Sequence, residues 1–368
     1  MLCRSTTTSP GFTSRAVSIN FSIDLTNLTS TPTASADARI FDANNMSSTI
    51  ASTMDTAIPP LAEAEKLEFG NHANNHSSNH PSDPERSKLV IASYNIRYAR
   101  GPYLIPGGIV RKLGLMSLGR RPQHIGNMIS LAARAFSAGK LLPAVDVLAL
   151  QEADKRTIRT GGHHVACELA SQLNMNWVHA PAGIPRGIKP VKRQWWLDFE
   201  EPIDLHDEGD TGVALLSRLP MTDLVRLDLP WQECPWRPRL AMAATISAGP
   251  HEIRILNAHV DPHAASDGQV AQLEVLAAHA ESTTLPTLIL GDFNTLSTQK
   301  CIVTRQFLES RGYTTPYPTG TSTWRGGGLL MHADWIFSRG LKITRWGVAK
   351  PLNVSDHWPI WVEVDLGA

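Results

Sequence analysis

From residue 87 onward, short apolar runs alternate with segments whose apolar positions recur every three or four residues. Runs at 89–92, 145–150, 212–216, 253–256 and 285–290 are bounded by turn or polar residues. Their shortness predicts buried β-strands rather than helices. Between them Ile125, Met128, Ile129, Ala132 and Phe136 keep helical spacing, as do Val165, Leu169 and Leu173, and then Val270, Leu273 and Ala277. Three amphipathic helices are therefore predicted, the last with Ser266 or Asp267 as its N-cap. Interleaving of the two periods places the chain in the α/β class. Segments 101–123, 183–206 and 230–239 fit neither period and are rich in Gly, Pro, Arg, Lys or Trp, so they read as loops around a site.

Residues 1–87 have a different texture. They are rich in Ser, Thr, Ala and Asn, lack apolar periodicity and end in the tract NHANNHSSNHPSDP. The expectation is a disordered, low-complexity tail at 1–87 followed by one large domain at 88–368. His72, His76 and His80 lie in that tail without a fixed ligand spacing, and composition accounts for them better than a metal site does. Arg4 and Arg15 among hydroxyl residues have a faint presequence character, which the early acids Asp24, Asp37 and Asp42 oppose. No apolar run reaches the length of a membrane span. The expectation is an intracellular monomer.

Charge narrows the partners. Of 34 basic and 34 acidic residues, 5 and 9 fall in residues 1–87, leaving 29 and 25 in the domain. A balance that mild argues against affinity drawn mainly from wrapping a nucleic-acid backbone, though a local basic groove is compatible with it. Cys3, Cys167, Cys234 and Cys301 lie far apart with no CxxC spacing, which argues against a disulfide framework or zinc knuckle and fits a reducing compartment.

Six of the apolar runs carry an acid, an amide or a histidine at one end: LVIASYN, VLALQE, RILNAH, TLILGDFN, HADWIF and VSDHWPIWV. Strands that deliver such groups to one rim would gather Asn95, Glu152, His259, Asp292, Asn294, Asp334, Asp356 and His357 into one site. Four carboxylates in one cleft repel unless cations, protons or histidines compensate them. Oxygen ligands of this kind suit magnesium or manganese rather than zinc. A hard cation beside amides and histidines suits a phosphate ester, whose transition state places charge on nonbridging oxygens.

The blocks SYNIRY at 93–98, LQEAD at 150–154, NAHVD at 257–261, GDFN at 291–294, ADWIF at 333–337 and SDHWPI at 355–360 resemble, in order, those of the endonuclease/exonuclease/phosphatase superfamily. Its members include deoxyribonucleases, abasic-site endonucleases, sphingomyelinases and inositol polyphosphate phosphatases. The resemblance implies a four-layer α/β sandwich, with two packed mixed β-sheets flanked by helices, and metal-dependent phosphoester hydrolysis. It further implies Glu152, Asn95 and Asp356 on the metal side, Asp292 orienting or deprotonating the attacking water, and Asn294 holding a phosphate oxygen. His357, aligned by Asp334, would contact the phosphate, and His259 would protonate the leaving oxygen. Abasic-site endonucleases tend to carry an acid where this chain has Arg97, which disfavours that branch.

Arg97, Trp236 and Arg237 are the candidate substrate contacts, the last two in the Pro-stiffened loop WQECPWRPR, where Trp231 and Arg239 could line the cleft with them. The cluster Arg111, Lys112, Arg120 and Arg121 reads as a solvated loop; Arg186, Lys189, Lys192 and Arg193 beside Trp195 and Trp196 could serve phosphates, bases or lipid headgroups. The expected activity is nuclease-like phosphodiester hydrolysis with Mg²⁺ or Mn²⁺, nucleic acid being one candidate substrate. A lipid or inositol phosphoesterase is the alternative on the same scaffold, and a noncatalytic binding module is the second.

Overall fold

The computed structural model describes residues 67–71, 87–102, 121–184, 203, 206–230 and 238–367, all within the compact unit Pro60–Ala368. Its strands are β1 (Glu68–Gly70), β2 (Lys88–Asn95), β3 (Val147–Gln151), β4 (Asn176–Pro181), β5 (Gly212–Ser217), β6 (Met221–Asp228) and β7 (Leu240–Ala248). They continue as β8 (His251–His259), β9 (Thr287–Asp292), β10 (Trp324–Gly326), β11 (Leu329–Met331), β12 (Asp334–Arg339), β13 (Lys342–Val348) and β14 (Ile360–Asp365). The α-helices are α1 (Arg121–Ser137), α2 (Val165–Leu173), α3 (Ser266–Glu281) and α4 (Thr298–Glu309).

Two mixed sheets result, ordered β1-β4-β5-β3-β2-β14-β13 and β12-β9-β8-β7-β6. Each has one parallel pair, β2 with β3 and β8 with β9, among antiparallel neighbours. Alternation along β2 explains the layering, because Leu89 and Ile91 join the core between the sheets while Ala92 and Tyr94 pack with Ile125, Ile129 and Phe136 of α1. Leu273, Leu276 and Ala280 of α3 and Leu308 of α4 close the outer side of the five-stranded sheet. The expected four-layer sandwich is present.

Three details depart from the sequence reading. Within the segment expected to be a featureless tail, β1 pairs antiparallel with β4, Glu68 facing His179 in register. Its anchor is electrostatic, since Glu68 meets Lys155 and lies 3.5 Å from His164, and a strand of three residues leaves no periodicity to detect. Neither Ser266 nor Asp267 caps α3: the N-cap is Ala265, and Asp267 Oδ1 accepts instead from the Gly268 amide. Residues 121–123, expected in a loop, start α1. The basic and tryptophan-bearing segments at 103–120, 185–202 and 231–237 lie outside the described residues, as do His72, His76 and His80. No helix among the described residues is long and apolar enough to cross a membrane.

Candidate active site

Strand register builds the site. His259 at the end of β8 pairs with Asp292 at the end of β9, and Asp292 pairs with Asp334 at the start of β12. One row of the five-stranded sheet therefore carries a histidine and two acids to a single edge. On the facing sheet Asn95 of β2 pairs with Gln151 of β3, the residue before Glu152. Gln151 Nε2 donates across the sandwich to Asn257 Oδ1 at 2.6 Å, and Asn257 Nδ2 donates to the carbonyls of Leu150 and Ala214 at 2.9 Å. Asn257 thus ties the two edges together. Asp261 serves a turn, its Oδ1 accepting from the His263 amide at 2.9 Å.

Several of these positions are bent against preference. Glu152 (φ 50°) and Asn294 (φ 52°) are left-handed, as are Arg97, Tyr98 and Ala99 in succession at φ 44°, 43° and 57°. Non-glycine residues adopt such angles at a cost of about 1–3 kcal/mol each, and they persist where surroundings over-determine them. Here Tyr98 donates its backbone N–H to the Glu152 carbonyl at 2.9 Å, so the two strained turns hold one another. Gly291 is obligatory in GDFN, because a Cβ at its φ of 141° would be driven into the Ala258 carbonyl.

The polar groups then interlock. Asn95 Nδ2 donates to Asp292 Oδ2 and the Asn294 amide donates to Asp292 Oδ1, both at 2.9 Å. Asn294 Nδ2 donates to the Val260 carbonyl at 2.9 Å, which fixes the side-chain plane. His357 Nδ1 bonds Asp334 Oδ2 at 2.8 Å, and its Nε2 lies 3.8 Å from Asp292 Oδ2. His259 Nε2 lies 3.6 Å from Asp292 and 3.8 Å from Glu152. Asp356 accepts from Trp324 Nε1 and pairs with Arg97 Nη1, each at 3.0 Å. All eight predicted site residues line or directly support one cavity of about 820 Å³.

Burial sets the protonation pattern. It pushes the Asp292 carboxyl up to about 7, Asp334 adding to the rise while His357, Asn95 and Asn294 oppose it. Burial alone would push His357 down; the Asp334 and Asp292 carboxylates outweigh it and hold the imidazole up to about 10. His357 is accordingly an imidazolium at neutral pH, and Asp292 is a base poised near neutrality.

Arg159 and Trp324 line the cavity without having been singled out from the sequence, and Arg239, a candidate to line the cleft, is there too. Arg159 forms a fork on Asp154 at 2.6 and 2.8 Å and stacks over Tyr98 at 4.1 Å. Arg239 is buried against His259, its Nη1 at 2.9 Å from Nε2 and 3.1 Å from Nδ1. That neighbour bears directly on the acid role expected of His259. A guanidinium only donates, so the His259 nitrogen that meets Arg239 accepts, and the other ring nitrogen keeps the proton of a neutral imidazole. The loop residues Trp236 and Arg237 lie outside the described residues. Arg97, expected to contact substrate, lines the cavity but is also the counter-cation of Asp356. Pairing of Leu240 with His259 is what brings Arg239 to the site, a signal visible only once the β7–β8 register is known.

The family model for the endonuclease/exonuclease/phosphatase family matches residues 92–357. The chain belongs to this family. Among solved structures, a family protein from Beutenbergia cavernae superimposes with a TM-score of 0.54 at 15% identity, covering 76% of this chain and 72% of that one. One from Leptotrichia buccalis gives 0.50 at 17% identity, covering 75% and 99%. ANGEL2, a 2′,3′-cyclic phosphatase, gives 0.50 at 15% identity, covering 77% and 96%. At these identities the likeness establishes the fold. A search of curated proteins by sequence finds no match.

The family implies a divalent metal, and the donor set fits one. Glu152 and the Asn95 side-chain carbonyl offer hard oxygens at the cavity, with the buried Asp292 carboxyl beside them. Asp292, Asp334 and His357 also place ligand atoms within 4.8 Å of one another. Within that trio His357 Nδ1 and Asp334 Oδ2 are already hydrogen-bonded at 2.8 Å. Asp356, already paired with Arg97, is the predicted metal ligand with least need of a second cation.

Proposed function

We propose that the chain is a Mg²⁺- or Mn²⁺-dependent phosphodiesterase in which Asp292 activates water. The observation that carries this reading is the buried row His357–Asp334–Asp292, an imidazolium and a base held side by side at the edge of the Glu152–Asn95 pocket. Asp292, oriented by the Asn95 and Asn294 N–H groups, accepts the proton of the attacking water. His357, kept protonated by Asp334, and the Asn294 amide side chain hold nonbridging oxygens of the phosphate. Arg97 and Arg239 supply positive charge around the same cavity. His259 orients within the site as an acceptor for Arg239. A divalent cation held by Glu152 and Asn95 would polarise the phosphoryl group and offset the charge developing on it.

Two hydrogen-bonded histidines and an unbroken set of carboxylates favour an enzyme over a noncatalytic binding module. The test is a panel of duplex DNA, single-stranded RNA, a 2′,3′-cyclic nucleotide, sphingomyelin and an inositol phosphate, each with Mg²⁺ and with EDTA. Turnover of at least one phosphodiester, lost in EDTA and restored by Mg²⁺ or Mn²⁺, is expected. Metal-independent turnover, or none across the panel, would reject the proposal.

A further inference from the structure

The cavity has two chemically different parts. Its floor and one portion of its wall are polar and charged, as described above. The rest of the lining comes from the loops after β8 and β9 and from the β10–β11 hairpin: Pro262, Leu296, Leu329 and Met331 give it an apolar stretch, and His263, Trp324, Gly326 and Gly327 complete it. The hairpin belongs to neither main sheet. It is nevertheless fixed to the catalytic segment, because Trp324 pairs with His357 in an isolated bridge, the Arg325 amide donates to the Asp356 carbonyl at 2.9 Å, and the Trp358 amide donates to the Thr323 carbonyl at 2.7 Å. Thr323 Oγ1 in turn accepts from the Asp334 amide at 3.0 Å. The apolar wall therefore stands at a set position relative to His357 and Asp334.

Exposure of this wall is unusual for the molecule. Among the described residues seven large apolar side chains are exposed, and Leu296 (36%), Leu329 (57%) and Leu330 (60%) are three of them. Side chains alternate along β11, so Leu329 and Met331 face the cavity while Leu330 faces away. Exposed apolar surface continuous with a polar site marks a ligand-binding surface more often than an accident of packing. Leucine and methionine offer a conformable aliphatic surface, while the Trp324 ring in the same lining is tied to Asp356 through its Nε1–H at 3.0 Å.

We infer that Leu296, Leu329 and Met331 form a subsite for an aliphatic group carried by the phosphoester, an inference that rests on the phosphodiesterase reading and names its substrate class. The phosphate sits at the charged end, and the organic substituent lies along the hairpin. Discrimination comes from burial, at about fourfold in affinity for each fully buried methylene.

The experiment is calorimetric titration of the full chain, in Mg²⁺, with n-alkyl phosphates from methyl to octyl. Affinity should rise at least about thirtyfold along the series, since several methylenes become buried. In the Leu296→Asn/Leu329→Asn double variant the rise should shrink to less than about threefold, whereas Leu330→Asn, on the outward face, should keep it. Affinity independent of chain length, or the same rise in the double variant, overturns the inference. Adenosine 5′-phosphate binding far more tightly than ribose 5-phosphate, with no gain from octyl, overturns it in favour of a nucleobase. The phosphoester panel above, run on the same preparation with Mg²⁺ and with EDTA, reads the parent proposal separately: no turnover across it sinks that reading even where the alkyl gain is found.

Discussion

Asp292→Ala is expected to lower kcat for phosphodiester hydrolysis by at least about a hundredfold, the usual cost of losing a positioned general base. Asp292 is 1% exposed and receives hydrogen bonds from Asn95 and Asn294, so its carboxylate is aimed by the chain before any substrate arrives. Burial holds it up to about 7. A base raised by burial is protonated below that value and competent above it, so the acid limb of the rate profile belongs to Asp292, and a nearby cation moves that limb to lower pH. The check is single-turnover kinetics with saturating Mg²⁺. A variant within about threefold of the native rate would remove Asp292 from the mechanism.

Asp334→Asn is expected to cost between about a hundredfold and ten-thousandfold, because an amide neither fixes the imidazole tautomer nor stabilises its charge. It should also move the alkaline limb. The His357 imidazolium is protonated below about 10 and loses its proton above, and Asp334 is the largest favourable contributor to that elevation. Without that carboxylate the alkaline limb should fall toward the ordinary histidine range, near about 6.5. A merely structural Asp334 would lower the rate at every pH and leave the limb in place. Rate–pH profiles of the two proteins separate these outcomes.

The strands and their chemistry were legible because both signals coincide on the same residues. In TLILGDFN the apolar run fixes a buried strand, and the acid at its end fixes where the strand delivers function. What escaped the sequence depends on partners far away in the chain. Arg239 reads only as one of several cleft-lining candidates in WQECPWRPR, and its contact with His259 follows from the pairing of Leu240 with that histidine. Arg97 reads as a free cation in SYNIRY, yet the left-handed turn at 97–99 folds it onto Asp356. The β10–β11 hairpin is hidden by Gly326, Gly327 and Gly328, which suggest only a loop. β1 is hidden by the polar segment around it, its anchors being Lys155 and His164 more than eighty residues later.

The proposed mechanism rests on Glu152 and Asn95 offering a divalent cation their oxygens beside Asp292 in the same cavity. Manganese binding followed by electron paramagnetic resonance reads this without any substrate. The native chain should bind Mn²⁺ competitively with Mg²⁺, and Glu152→Gln should weaken that binding by at least about tenfold, since a charged ligand is lost to a hard cation. Equal affinity in a folded Glu152→Gln variant would contradict the account.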